Sequence, residues 1–192
     1  MYSNILNNVS KFITLTEAEQ SLFTSMLDFR TIPKKTTMLR EGEICQFEGY
    51  IQKGCVRVYY INENGCEVTL SFAVEDWWVS DVSSFYEKRP SDFFIETLED
   101  TDIYMFSLDN KERLLAEIPK FERIFRLLVQ RNLSAIQNRL VKTISKPATE
   151  RYLEFIKRYP SLPIRVPQYY IASYLGVSPE FVSTIRKRLS SK

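Results

Sequence analysis

Histidine is absent from these 192 residues, and only three are cysteine and five glycine. Without histidine there is no Ser-His-Asp triad, no HExxH zinc site and no imidazole-built metal centre. A cysteine nucleophile would lack its usual base. Cys45, Cys55 and Cys66 do not make a disulfide framework, and they fall one short of the four thiolates that usually hold an iron–sulfur cluster. They read as thiols buried or half-buried among strands. Carboxylate and lysine chemistry find no constellation either, so no enzyme, cofactor or metal is expected. No apolar run approaches the roughly 20 residues of a membrane span. No basic-then-apolar segment at the N-terminus marks a secretory signal, so the expected location is cytoplasmic.

Apolar residues make up 44% of the chain, enough to build a core. The net charge of +2 hides an asymmetry. From Ser145 onward nine Lys/Arg face three Asp/Glu, while the first 144 residues hold seventeen Lys/Arg and twenty-one Asp/Glu. A basic tail on an acidic body points to a polyanionic partner for the tail alone.

Residues 2–28 read as helical, with Thr16 and Glu19 at capping-box spacing. From Arg30 to Leu108 short β-rich runs alternate with turn residues: "TTMLREGE", "EGYIQKG", "CVRVYYI", "EVTLSFAV", "FFIETL" and "DIYMFSL". "NENG", ending in Asn64-Gly65, is a hairpin turn between the third and fourth. The spacing argues for a compact antiparallel sandwich or roll. After Pro119 apolar residues recur at Phe121, Phe125, Leu128, Ile136, Leu140 and Ile144, one side of a helix over about 120–144. Some 25 residues make a helix about 37 Å long. That exceeds what a small roll covers, so part of the face predicts a second copy of the chain. Pro147 breaks the pattern and places a hinge. "ATERYLEFIKRYP" reads as a helix and "SLPIRVP" as a connector.

The segment from Gln168 reads as a helix-turn-helix. Ile171, Ala172 and Leu175 are apolar or small, Gly176 and Val177 take the bend, and Val182 and Ile185 face back. Ser178 can cap the second helix, Pro179 suits its first position, and Glu180 favours its positive end. With the local charge this predicts double-stranded DNA as partner.

The chain, over residues 10–189, resembles the Crp/Fnr family of bacterial transcription regulators, which includes the catabolite activator protein. "MLREGEICQFEGYIQKGCVRVYYINENG" resembles the family's early roll and "IETLEDTDIYMF" the strand pair that closes it. "SKPATERYLEFIKRYP" followed by "IASYLGVSPEFVSTIRKRL" is similar to a branch common in Bacteroidetes. The resemblance implies an α+β chain. An antiparallel, cyclic-nucleotide-binding-like β-roll (double-stranded β-helix) would fill 1–118, a dimerisation helix and hinge 119–146, and an all-α helix-turn-helix domain 147–192. It implies a homodimer with Phe121, Phe125, Leu128, Ile136 and Leu140 at the interface. An effector in the roll would change how the DNA-binding ends are presented.

The sequence departs from that family in three places. Members that bind cyclic nucleotide carry a Gly-Glu pair and, about ten residues later, an Arg-Ser or Arg-Thr pair. In "WWVSDVSSFYEKRPSDFF" Ser80-Asp81 stands at the first and Ser91-Asp92 at the second, with Val82 beside them in the candidate effector pocket. A cyclic phosphate would face Asp92 instead of a cation, which is repulsive in a pocket. Cyclic AMP is therefore not the expected effector, and the roll has either lost its ligand or takes an unidentified small molecule. Only "SSK" follows Leu189, where many relatives have a β-hairpin wing, so phosphate contacts fall to Arg186, Lys187, Arg188 and Lys192. The base-reading positions hold Pro179, Glu180, Ser183 and Thr184. Glu180 could accept from a cytosine amino group or serve only as a helix-start residue.

The expected function is a homodimeric, sequence-specific DNA-binding transcription regulator. Its DNA-binding residues would be Ser178, Glu180, Ser183, Thr184, Arg186, Lys187 and Arg188. The alternative is a ligand-binding or protein-interaction dimer with a non-functional helix-turn-helix. An enzyme on a cupin-like roll is a third reading, which lacks its histidine ligands.

Overall fold

The computed structural model describes residues 2–190, the side chain of Ser190 aside. Two helices, α1 (Ser3–Ser10) and α2 (Glu17–Ser25), precede the strands β1 (Asp28–Ile32), β2 (Thr37–Leu39), β3 (Glu48–Lys53), β4 (Val56–Ile61), β5 (Glu67–Ala73) and β6 (Trp78–Val79). A short helix α3 (Val82–Glu87) follows, then β7 (Phe94–Thr97), β8 (Thr101–Phe106) and α4 (Leu108–Glu117). The long helix α5 (Phe121–Ser145) leads to α6 (Ala148–Arg158), α7 (Leu162–Arg165), α8 (Gln168–Leu175) and α9 (Pro179–Ser190).

Local chemistry sets several of these boundaries. Thr16 and Glu19 form the expected capping box: the Glu19 amide donates to Thr16 Oγ1 and the Thr16 amide donates to Glu19 Oε2 at 2.7 Å. The N-terminal segment is nevertheless two helices instead of one, because residues 11–16 leave the helix before that cap restarts it. Gly65 takes φ +75° in the β4–β5 turn, and its amide donates to Asn62 O at 2.8 Å. Pro119 lies in the turn before α5, and the connector "SLPIRVP" contains the short helix α7.

The strands form two four-stranded sheets, ordered β1-β8-β3-β6 and β2-β7-β4-β5. β8 pairs antiparallel with β1 (Asp28 opposite Met105) and with β3 (Gly49 opposite Met105). Gly49 has no room for a side chain, since a Cβ there would lie 2.5 Å from Ile103 Cδ1.

The chain divides into two compact units: residues up to Val58 with Phe72–Gln130, and Tyr59–Ser71 with the residues from Arg131 on. This division cuts across the 1–118, 119–146 and 147–192 scheme, because the tip of the β4–β5 hairpin groups with the C-terminal helices. The core of the first unit joins Ile5, Val9, Phe23, Tyr50, Tyr104, Phe106 and Leu114 to Phe121, Ile124 and Phe125. The rings of Phe23 and Phe121 lie 4.8 Å apart, and Trp78 stacks on Phe106 at 6.1 Å. Phe121 and Phe125 are therefore core residues of the first unit, 1% and 7% exposed, and not the interface residues that the resemblance implied. Leu128 is partly buried against the same cluster. A stripe of large apolar side chains on α5 stays exposed: Val129, Leu133, Ile136, Leu140 and Ile144.

The second unit is held by aromatic packing. Phe155 lies 5.2 Å from Tyr159 and 5.3 Å from Tyr174. Across the hinge, Glu154 of α6 accepts from Lys142 at 2.6 Å and Lys146 at 2.5 Å, both near the end of α5. Lys142 first, then Lys146, holds the Glu154 carboxyl below its usual range. Among the described residues no helix is long and apolar enough to cross a membrane.

Candidate functional site

The helix-turn-helix is built around its turn. Gly176 ends α8 in the left-handed region, φ +65° and ψ +42°. Its amide donates to Ser173 O at 3.2 Å and that of Val177 to Ala172 O at 3.1 Å, so two carbonyls at the end of α8 are satisfied. Ile171, Ala172 and Leu175 of α8 are buried, as are Val182 and Ile185 of α9. Ser178 caps α9 by accepting from the Phe181 amide at 3.2 Å. The Gln168 side chain donates to Pro179 O and so ties the two helix starts together.

The polar residues of α9 fall on two sides. Glu180, Thr184, Lys187 and Arg188 are exposed, with Ser183 half-buried beside them. Backbone amide donation within Glu180, and then the Ser178 hydroxyl, hold the Glu180 carboxyl low, so it is an anion at the helix start. Thr184 Oγ1 donates back to Glu180 O at 2.9 Å, which leaves the hydroxyl its acceptor capacity. Arg186 is turned elsewhere: it lines a groove of about 580 Å³ with Tyr152, Leu153, Ile156, Lys157 and Leu189. Lys192, the fourth cation expected there, lies outside the described residues.

In the roll, two of the five candidate effector residues, Asp81 and Ser91, meet one another. Asp81, 6% exposed, caps α3 by accepting from the Ser84 amide at 3.2 Å. Its other oxygen accepts from the buried Ser91 hydroxyl at 2.7 Å. Ser91 Oγ also accepts from the Phe93 amide at 3.0 Å, and its backbone is pinned by Gly42 N and Glu43 O, both at 2.8 Å. Ser80 donates to Phe47 O at 3.0 Å. Val82 is exposed. Asp92 lies at the surface. Its side chain is 78% exposed and 3.8 Å from Arg89. Of the two carboxylates, Asp81 is the buried one and Asp92 the exposed one. Arg57, the buried cation of β4, is bonded through Nε and Nη2 to Glu96 Oε2, both at 2.7 Å. This donor set does not fit a cyclic phosphate, which would meet a carboxylate already holding its own donors.

Residues 29–117 match the cyclic nucleotide-binding domain family. No curated protein sequence matches the chain. Among solved structures, FixK2 from Bradyrhizobium japonicum is 17% identical with a TM-score of 0.74, over 86% of this chain and 85% of that one. The c-di-GMP-responsive global regulator CLP of Xanthomonas campestris is 17% identical with a TM-score of 0.72, over 92% of both chains. A Eubacterium rectale protein described as a transcriptional regulator of the crp/fnr family is 17% identical with a TM-score of 0.71, over 92% of this chain and 84% of that one. At such identities the likeness is one of fold. Residues 29–117 match the cyclic nucleotide-binding domain model, and 92% of the chain shares its fold with the CLP regulator and with the Eubacterium rectale protein.

Proposed function

We propose that this protein is a homodimeric, sequence-specific DNA-binding transcription regulator that works without cyclic AMP. The observation that carries the reading is α9. It is capped and packed from one side, while its other side exposes Glu180, Thr184, Lys187 and Arg188 on a basic C-terminal segment. Such a helix suits the major groove, with its N-terminal part toward the bases. Glu180, Ser183 and Thr184 would read bases, while Lys187, Arg188 and the Ser178 end of the helix would meet phosphates. Arg186 supports α9 against α6 on this reading. The second copy would cover the stripe at Val129, Leu133, Ile136, Leu140 and Ile144, which is too extended to be left in water.

The test is selection of bound duplexes from a random library with the purified full chain. The expected result is a near-palindromic site whose half-sites lie about one helical turn, or 10 base pairs, apart. A bound pool no different from the input overturns the reading.

A further inference from the structure

The tip of the β4–β5 hairpin is fastened to α8 by two side chains that the function above does not use. Ser173 lies in the last turn of α8. Its hydroxyl accepts from the Thr69 amide at 2.9 Å and donates to Glu67 O at 2.8 Å, so it takes the place of a neighbouring strand along the edge of β5. Arg139 reaches the same place from α5. Its guanidinium lies 4.0 Å from the centre of the Tyr174 ring. Nη2 donates to Tyr174 O at 2.7 Å and, more loosely, to Thr69 O at 3.4 Å, while Nη1 donates to Leu70 O. One cation thus joins three elements: α5, the hairpin, and the end of α8, where carbonyls favour positive charge.

The placement is selective. Arg139 lies about 100° round the helix axis from Leu140, so it is off the apolar stripe and stays available when that stripe is covered. None of these bonds involves Glu180, Ser183, Thr184, Lys187 or Arg188. The clasp therefore leaves the reading side of α9 open and acts only on α8. Strands β4 and β5 run from the tip into the body of the roll, where Arg57 and Glu96 pair.

We propose that Arg139 and Ser173 are positioning residues for DNA recognition. On the reading of α9 as the DNA-contacting helix, they hold α8, and with it α9, by the hairpin tip. Lysine at 139 could not serve, because an ammonium has no planar fork to lie on Tyr174 and reach two other carbonyls. Threonine at 173 could, because it keeps the hydroxyl.

The test uses full-length protein, hydrogen exchange followed by mass spectrometry, and binding isotherms on the selected site and a random duplex at two salt concentrations. Ser173→Ala and Arg139→Ala should speed exchange in the peptide covering 59–71. They should weaken specific binding about fivefold to tenfold, the scale of removing one or two hydrogen bonds. The salt slope and base preference should not change, since no phosphate or base contact is removed. Arg139→Lys should behave as Arg139→Ala, and Ser173→Thr as the native protein. Faster exchange with unchanged affinity overturns the proposal, as does unchanged exchange. A flatter salt slope in Arg139→Ala also overturns it, by making Arg139 a phosphate contact. If Arg139→Ala does not fold, the Ser173 pair decides alone. Failure of the native protein to bind any duplex defeats the DNA-binding reading itself and is seen before any variant is compared.

Discussion

The roll and the helix-turn-helix treat their polar side chains in opposite ways. In the roll, Asp81 and Ser91 are buried and bonded to each other, and the Ser84 and Phe93 amides complete the set. On α9 the polar side chains are exposed, and the bonds within the helix leave acceptors and cations facing out. Buried polar groups that satisfy one another lower the cost of burial, and a ligand would have to break those bonds before making its own. Exposed polar groups on a rigid, capped helix carry no such cost. The chain thus leaves polar side chains exposed on α9 and pairs Asp81 with Ser91 inside the roll.

The comparison breaks most severely if α5 does not pair two copies, since a single α9 reads only half a site. Ile136→Lys with Leu140→Lys places two charges on each copy at the seam. The expected outcome is a monomer in analytical ultracentrifugation with unchanged helix content, and affinity for the two-half-site duplex reduced by about 100-fold or more. A folded, dimeric variant with native affinity removes the stripe from the interface.

Next in size is the Asp81–Ser91 bond. Ser91→Ala deletes the donor to a buried carboxylate, and bonds to charged groups contribute about 1.5–3 kcal/mol. Denaturant unfolding should show a loss of that order, while the affinity for the selected site stays native. A fall in DNA affinity with no loss of stability would mean that Asp81 and Ser91 belong to a signalling path and not to a closed core.

The reading side should then divide along α9. Thr184→Ala or Glu180→Ala should cost about 1–3 kcal/mol for each base left unread on the selected duplex and relax the preference at that position. Lys187→Ala or Arg188→Ala should weaken all duplexes alike and flatten the salt dependence by about 0.9 log unit for each phosphate no longer neutralised in a half-site. Isotherms at several salt concentrations separate the two patterns, and an identical pattern for all four variants would end the division.

How far these sites could be read from sequence depends on what kind of partner each residue has. The Thr16–Glu19 box, the Asn62–Gly65 turn and the Gly176 bend involve neighbours a few residues apart, and spacing reveals them. Phe121 and Phe125 share a helical face with Ile136 and Leu140, but periodicity does not say what covers each part of a stripe. The N-terminal helices and β8 cover the first part, and water meets the second. Arg139 was beyond reach because its partners in the hairpin are backbone carbonyls 69 and 70 residues away, and a carbonyl has the same chemistry whatever the residue type. Asp92 and Asp81 both looked acidic from sequence, and only the turn of the chain after α3 decides which one faces inward.

The smallest expected effect is none: cyclic AMP should change neither stability nor DNA binding. A cyclic phosphodiester carries one negative charge and needs donors that are free to turn toward it. Asp81 offers a second negative charge, and the Ser91 hydroxyl is already engaged by it at 2.7 Å. Two buried cations are already paired, Arg57 with Glu96 and Lys111 with Glu48. Lys88 and Arg89 are exposed beyond α3, where solvent screens them. Ligand present at 100 times its dissociation constant would stabilise the folded state by about 2.7 kcal/mol, a shift of about 5–10 °C that is easily measured. Thermal unfolding with millimolar cyclic AMP should therefore superimpose on unfolding without it. A saturable rise in the transition temperature that disappears in Ser91→Ala would show that the Asp81–Ser91 bond opens for the ligand, and the contrast between the paired side chains of the roll and the exposed ones of α9 would fall with it.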